Sequence, residues 1–309
     1  MKRSVKISAF AKLNLGLKVL YKRPDNFHEL RTVFQTITLA DTIHAGFTPG
    51  QKTSIAIQSE IDIPDNLIVR AAKLVMDASG ARGTVEFRLD KKIPMGGGLG
   101  GGSSDAAAVL LALPVLTGRN LPLETLMELG AQLGSDVPFF LLGGTALGLG
   151  RGVELYPLPE MAPLHALVVA PHLHVSTAEA FSALNRKLTQ DLLFQYISNF
   201  QSRVWNLGEQ YCENDFEAVV FERYPHLKSI QRKLRKLGAK PAMLTGSGAA
   251  LFGVFESSRD VKQALSAFTR ERAYQVQFVG RNRYRSIWRR QLKDHVQGEV
   301  WPPQSRYAR

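Results

Sequence analysis

Cysteine is nearly missing from this chain: Cys212 is the single thiol in 309 residues. That excludes an internal disulfide and any cysteine-based zinc site, and it fits a reducing cytoplasm. Long apolar runs are missing as well. None reaches the roughly 20 residues that cross a bilayer, and no apolar stretch of signal-peptide length follows Met1-Lys-Arg-Ser-Val-Lys-Ile-Ser. The expected setting is cytoplasmic, with no membrane partner. No internal repeat is visible. Acidic residues are in short supply, 27 against 39 Lys and Arg, for a net charge of +12.

The distribution of that charge decides how it is read. Residues 281–309 hold eight Lys/Arg and two Asp/Glu, a net of +6 and half of the excess. The rest of the chain is only mildly basic, so nucleic acid is not the expected partner. The tail reads as a solvated basic arm. Two alternatives stay open: a weak polyanion-binding arm, or docking onto the body through Trp288, Trp301 and Tyr307.

Apolar spacing places the elements. Val5 and Ile7 alternate with polar neighbours, as do Leu13, Leu15, Leu17 and Val19 against Asn14, Gly16 and Lys18, which predicts strands with one buried face. Further strands are predicted over 53–58, 84–89, 145–149, 164–170, 243–244, 251–254 and 274–279. Helices are predicted from a cap at Asp65 or Asn66 to about Ser79, from about Ser103 to about Pro114, and over 123–133, 177–186, 229–237 and 259–272. Three prolines in Pro157-Leu-Pro-Glu-Met-Ala-Pro163 break the pattern and suggest a boundary. The expected organisation is an N-terminal domain 1–160, a C-terminal domain 161–280 and the tail 281–309. Hairpins mixed with helices, without strict βαβ alternation, predict an α+β protein with mainly antiparallel sheets.

The most informative segment is Pro94-Met-Gly-Gly-Gly-Leu-Gly-Gly-Gly-Ser-Ser104, in which six of eleven residues are glycine, followed at once by the apolar run Asp105-Ala-Ala-Ala-Val-Leu-Leu. Backbone without side chains can wrap a polyanion and point its N–H groups inward. A helix starting there adds unpaired donors and the positive end of its dipole. A Walker loop would need Gly-Lys-Ser/Thr, and no lysine follows these glycines. The dinucleotide spacing Gly-x-Gly-x-x-Gly is not cleanly present either.

This loop resembles the ATP loop of the superfamily of galactokinase, homoserine kinase, mevalonate kinase and phosphomevalonate kinase. The form Gly-Leu-Gly-Gly-Gly-Ser-Ser resembles, more narrowly, the 4-diphosphocytidyl-2-C-methyl-D-erythritol kinases. Ala11-Lys-Leu-Asn-Leu-Gly-Leu17 and Leu244-Thr-Gly-Ser-Gly-Ala-Ala250 agree, and the three motifs in order span most of the chain. The resemblance implies a two-domain fold with a ligand cleft between the domains. It implies transfer of the ATP γ-phosphoryl group, with Mg²⁺, to the 2-hydroxyl of a cytidine diphosphate-linked methylerythritol.

Carried over residue by residue, the resemblance makes Lys12 and Asp136 the catalytic pair. Pro94, Met95, Gly96, Gly97, Gly98, Leu99, Gly100, Gly101, Gly102, Ser103 and Ser104 become the ATP site. Asn66 matches a position near adenine, and as a plain helix cap it needs no further role. Asn14, Phe27, His28, Thr177, Phe181, Gly246 and Ser247 become the acceptor site, with His28 on the cytosine edge and Phe27 stacked on the ring. The family's Asp-Gly-Tyr-His reads Asp25-Asn-Phe-His28 here, so a phenol oxygen is lost while Asn26 tolerates a left-handed turn. A serine position of the superfamily is Gly102, and no Mg²⁺ ligand is assigned. Two other functions stay open: another kinase of the same superfamily acting on homoserine or mevalonate, and a catalytically inactive relative that binds nucleotide or nucleic acid.

Overall fold

The computed structural model describes residues 1–184, 197–198, 213–296 and 303. Cys212, Trp301, Tyr307 and the end of the helix expected over 177–186 lie outside the described residues. Among the described residues no helix is long and apolar enough to cross a membrane.

The two N-terminal strands expected from alternation are one, β1 (Arg3–Lys22), paired along its length with β2 (His28–Pro49). The period-2 pattern gave no sign of β2 because much of it is buried on both faces. Next come β3 (Ser54–Ser59), α1 (Leu67–Ser79), β4 (Gly83–Asp90), α2 (Gly101–Thr117) and α3 (Leu123–Leu133). A short α4 (Val137–Leu142), β5 (Thr145–Gly150) and β6 (Glu154–Pro157) complete the first half. Its sheet runs β3-β4-β2-β5-β6 with β1 on the other edge of β2, antiparallel except for the β3–β4 pair.

The chain leaves this sheet through the proline-rich stretch after β6. The second half holds β7 (His165–Ala170), α5 (Thr177–Leu184), α6 (Phe216–Arg223), α7 (Pro225–Lys236), β8 (Ala242–Leu244), β9 (Leu251–Phe255), α8 (Ser258–Leu265) and β10 (Arg272–Gln277). Its antiparallel sheet runs β10-β7-β9-β8. The α+β class with mainly antiparallel sheets is therefore as the pattern implied.

β1 joins the layers. Ile7, Ala9 and Phe10 sit in the core of the first half, and Ala11, Leu13 and Leu15 pack with Ala166, Val168 and Phe252 of the second sheet. Leu17 and Val19 join the core around α6 and α7. With one side of the strand committed to apolar packing, the alternate positions Lys12 and Asn14 fall on the other side, although both remain buried. The register shifts between Phe10 and Lys12 and between Asn14 and Gly16, so the strand is bulged on both sides of these residues. Bulges re-aim side chains near functional sites.

α2 is apolar around its whole circumference and buried from Ser104 to Leu116. It was expected to stop near Pro114 but runs to Thr117. A proline removes one N–H yet holds φ at a helical value, so the next residues can stay in the helix. Gly118, left-handed at φ 69°, ends it. The helix expected over 259–272 is shorter, because β10 takes Arg272 onward.

The basic tail needs the largest correction. Residues 281–292 are not a solvated arm but α9 (Arg281–Leu292), seated against β1. Tyr284, Trp288 and Leu292, four residues apart, form one apolar stripe buried in the core of the first half. Tyr284 Oη donates to the carbonyl of Phe140 on α4. Arg283, Arg285, Arg289 and Arg290 occupy the exposed face, while the Arg281 guanidinium reaches the carbonyls of Thr145 and Leu158.

Candidate active site

The glycine loop is held in place mainly by backbone. Lys12 N–H donates to Leu99 O at 3.0 Å, and Leu99 itself is a buried apolar anchor. Ala249 and Ala250 donate to the carbonyls of Gly96 and Gly97. Three of its glycines, Gly96, Gly98 and Gly100, have positive φ and no room for a Cβ. A Cβ on Gly98 (φ 73°) would lie 2.2 Å from Thr245 O, and one on Gly100 (φ 71°) 2.8 Å from Phe140 Cζ. Gly102 differs: a Cβ there would meet only Leu67 Cδ1 at 3.6 Å.

Gly100 also starts α2. Ser104 N–H closes the first turn onto Gly100 O at 2.8 Å. The N–H groups before it precede the intrahelical ladder and mark the positive end of a long helix. Behind that turn, Lys91 Nζ bridges Asp41 and Asp105, at 2.7 Å from the latter. Burial, opposed by Lys91 and assisted by the nearby Asp41, pushes the Asp105 carboxyl up to about 7. Ser104 Oγ and Asp105 Oδ1 are buried without a hydrogen-bond partner among the described residues.

A cavity of about 550 Å³ opens beside the loop. On its floor Lys12 Nζ donates to Asn14 Oδ1 at 2.6 Å and lies 3.3 Å from Asp136 Oδ2. Its ammonium also stands 5.4 Å from the Phe34 ring centre. Asn14 Nδ2 donates to Thr32 Oγ1 at 2.8 Å, and Thr32 in turn donates to Gly16 O. The asparagine oxygen is thereby aimed at the lysine. Asp136 immediately precedes α4, and its carboxylate makes no cap bond to that helix. It faces Lys12 instead, from within the turn that Val137 N–H closes onto Gly134 O.

The far end of the cavity is aromatic. His28 stacks on Phe181 with ring centres 4.4 Å apart, and Phe216 meets Phe181 edge-on. Burial and the neighbouring Lys22 ammonium hold the His28 imidazole below its ordinary value. Asn26 adopts φ 66°, so the turn survives without glycine. Phe27 is exposed, and the Arg151 guanidinium sits 4.5 Å from its ring centre. Thr177 Oγ1 and Ser247 Oγ share a hydrogen bond of 2.9 Å on the opposite wall.

The cavity brings together Lys12, Asn14, Phe27, His28, Gly98, Gly100, Ser103, Asp136, Thr177, Phe181, Gly246 and Ser247. Pro94, Met95, Gly96, Gly97, Leu99, Gly101, Gly102, Ser104 and Asn66 do not line it. Asn66 caps α1, its Oδ1 accepting from Ile68 N at 3.0 Å. α1 nevertheless reaches the loop, since Leu67 is the neighbour of Gly102. Thr32, Phe34, Arg151 and Phe216 also line the cavity and carried no assignment from sequence. No short-range signal marks them, because pairing between β1 and β2 and packing between the halves bring them in.

Comparisons with known proteins agree with this architecture. Residues 66–144 match the GHMP kinases N terminal domain and residues 196–275 match the GHMP kinases C terminal family. The chain is 54% identical over 310 residues to a 4-diphosphocytidyl-2-C-methyl-D-erythritol kinase of Solibacter usitatus (strain Ellin6076), covering 99% of this chain and 98% of the relative. A relative of the same name from Geobacter metallireducens (strain ATCC 53774 / DSM 7210 / GS-15) is 39% identical over 269 residues, 86% of this chain and 95% of its own. A crystal structure of 4-(cytidine 5'-diphospho)-2C-methyl-D-erythritol kinase superimposes with a TM-score of 0.74 at 36% identity, covering 91% of this chain and all of that one. With its glycine loop, its Lys12–Asp136 pair and these relatives taken together, the chain belongs to the 4-diphosphocytidyl-2-C-methyl-D-erythritol kinase family within the GHMP kinases.

Proposed function

We propose that the protein transfers the γ-phosphoryl group of ATP to the 2-hydroxyl of 4-diphosphocytidyl-2-C-methyl-D-erythritol, in the supply of isoprenoid precursors. The carrying observation is the position of the Lys12–Asp136 pair. It lies between the glycine loop and the His28–Phe181 aromatic end of one cavity. A donor phosphate on the loop and a pyrimidine against the rings would bring an acceptor hydroxyl to that pair.

The chemistry follows from the residues. The acceptor O–H gives its proton to the Asp136 carboxylate, a new O–P bond forms, and the bond from the γ-phosphorus to ADP breaks. The transition state is loose and asks more of orientation than of a strong base, so Asp136 chiefly aligns the hydroxyl. Lys12 offsets charge on the transferring group, and its bonds to Asn14 and Asp136 keep the ammonium in place. Backbone N–H groups at the start of α2 receive the phosphates. Neutral His28 offers one donor and one acceptor to the pyrimidine edge.

Mg²⁺ is part of this proposal. No cluster of three His, Cys, Asp or Glu that could hold a metal occurs among the described residues; a Mg²⁺ ion that arrives with a nucleotide takes most of its ligands from phosphate and water. Ser103, on the cavity wall, would hold it together with phosphate oxygens and water, and it would supply neutralisation of the β- and γ-oxygens.

A coupled assay of ADP release tests the reading. ADP should appear with the cytidylyl substrate and far more slowly with its uridylyl analogue, homoserine or mevalonate. Release with homoserine or mevalonate alone would reassign the acceptor. No release with any of them would overturn the function.

A further inference from the structure

Of residues 213–217, Glu-Asn-Asp-Phe-Glu, Phe216 lines the acceptor cavity, and its neighbours, which have no role in the reading above, bond the elements around it. Asn214 is buried. Its Nδ2 donates to Leu244 O at 3.0 Å and to Gly246 O at 2.8 Å, while its Oδ1 accepts from Phe216 N at 3.0 Å. The carboxamide is therefore fully used, and two of its three bonds hold the ends of one turn. That turn carries Ser247, which lines the cavity and bonds Thr177.

The same segment is clasped to β1. Leu17 N–H donates to Glu213 O at 2.9 Å, and Asp215 N–H donates to Leu17 O at 3.0 Å. Asp215 Oδ2 accepts from Val19 N, and Oδ1 pairs with Lys18. Glu217 completes the hold on the turn, its Oε1 accepting from Leu244 N at 2.8 Å. Phe216 meets the ring of Phe181, which backs His28.

We infer that Asn214 is a positioning residue for the phosphoryl acceptor, fixing the Gly246–Ser247 turn relative to the strand that carries Lys12 and Asn14. The physical ground is the pairing of buried carbonyls. Leu244 O and Gly246 O flank a turn at the end of β8, and the carboxamide supplies a donor to both. The glycine loop is tied to this same hairpin, Ala249 N–H and Ala250 N–H donating to the carbonyls of Gly96 and Gly97, and it has one tie that bypasses the hairpin, from Lys12 N–H to Leu99 O. The tie through Leu99 O keeps the loop on β1 when the carboxamide is lost, so the loss bears on the acceptor wall more than on the nucleotide.

The inference rests on the acceptor reading of the cavity. Its test is a split of Michaelis constants in Asn214→Asp, which keeps the shape but removes both donors, and in Asn214→Ser. The expected result is an acceptor KM raised at least about tenfold, with the ATP KM within about twofold of the parent protein. Ser247→Ala should then add little in the Asn214→Asp background, because both changes act on one turn. An unchanged acceptor KM, or equal rises in both constants, overturns the inference. So does failure of both variants to fold by circular dichroism, which would make Asn214 a folding residue instead. Failure of the parent protein to use the cytidylyl acceptor would overturn the functional reading, a separate outcome read from a separate sample.

Discussion

The Lys12 ammonium, 4% exposed, faces the Asp136 carboxylate, 33% exposed, across 3.3 Å. One partner is thus anchored inside the protein and the other reaches the cavity. In the proposed reaction the asymmetry suits a fixed cation and an adjustable carboxylate beside the acceptor hydroxyl. Asp136→Asn keeps the size and removes the proton acceptor. Turnover is expected to fall by about 10²–10⁴-fold, the usual contribution of a positioned acid–base group, with ATP affinity by calorimetry close to that of the parent protein. Unchanged turnover would take Asp136 out of the reaction.

Two glycines of one loop should respond oppositely to the same substitution. Gly98→Ala puts a methyl group 2.2 Å from Thr245 O in a left-handed backbone, so the loop or the turn must move. ATP binding is expected to be lost or severely weakened. Gly102→Ala meets only Leu67 at an ordinary contact distance and lies within α2. It should bind ATP nearly as the parent does. Calorimetric titration of both variants checks the contrast, and equal losses would refute the steric account.

Under the proposed function, His28 is expected to set a pH dependence on the acceptor side. Burial and Lys22 lower its value from the ordinary 6.5, so the imidazole is neutral at neutral pH. As pH falls through and below that lowered value the ring gains a proton and loses its acceptor nitrogen. The acceptor KM is expected to rise on the acid side while the ATP KM does not follow it. In His28→Gln the acid rise should disappear. Parallel profiles of the two constants over pH would decide it.

The C-terminal helix is expected to be part of the fold. Trp288 is 1% exposed and packs beside Tyr284 in the core of the first half. Trp288→Ala should cost about 3–5 kcal/mol, as for other buried large-to-small changes, read as a shift in denaturant midpoint. Arg289→Ala, on the exposed face of the same helix, should cost no more than about 0.5 kcal/mol. Equal, small effects would mean that the helix is not docked in solution.

Local spacing made several elements legible in advance. α3 was expected over 123–133 and runs Leu123–Leu133, because its apolar positions recur at helical period and Gly134 stops it. α1 was expected from its Asn66 cap. β2 was not, since a strand buried on both faces shows no alternation. α9 was hidden by composition: its arginines drew attention to charge, while Tyr284, Trp288 and Leu292 were too few to announce a buried stripe. At the site, the glycine loop, Lys12 and Asp136 could be picked out from motifs. Arg151, Thr32 and Asn214 could not, because each reaches the cavity or its turn through contacts between distant segments.

By itself the order of residues determined what depends on near neighbours: the loop freed of side chains, the helix that follows it, the alternation that sets Lys12 and Asn14 apart from Ala11, Leu13 and Leu15, and the motifs that mark the family. Tertiary structure alone decided which of those groups meet. Lys12 finds Asp136, His28 finds Phe181 and Asn214 finds Gly246 only after β1 has been packed between two halves, because such contacts are set by burial of apolar faces that lie far apart along the chain.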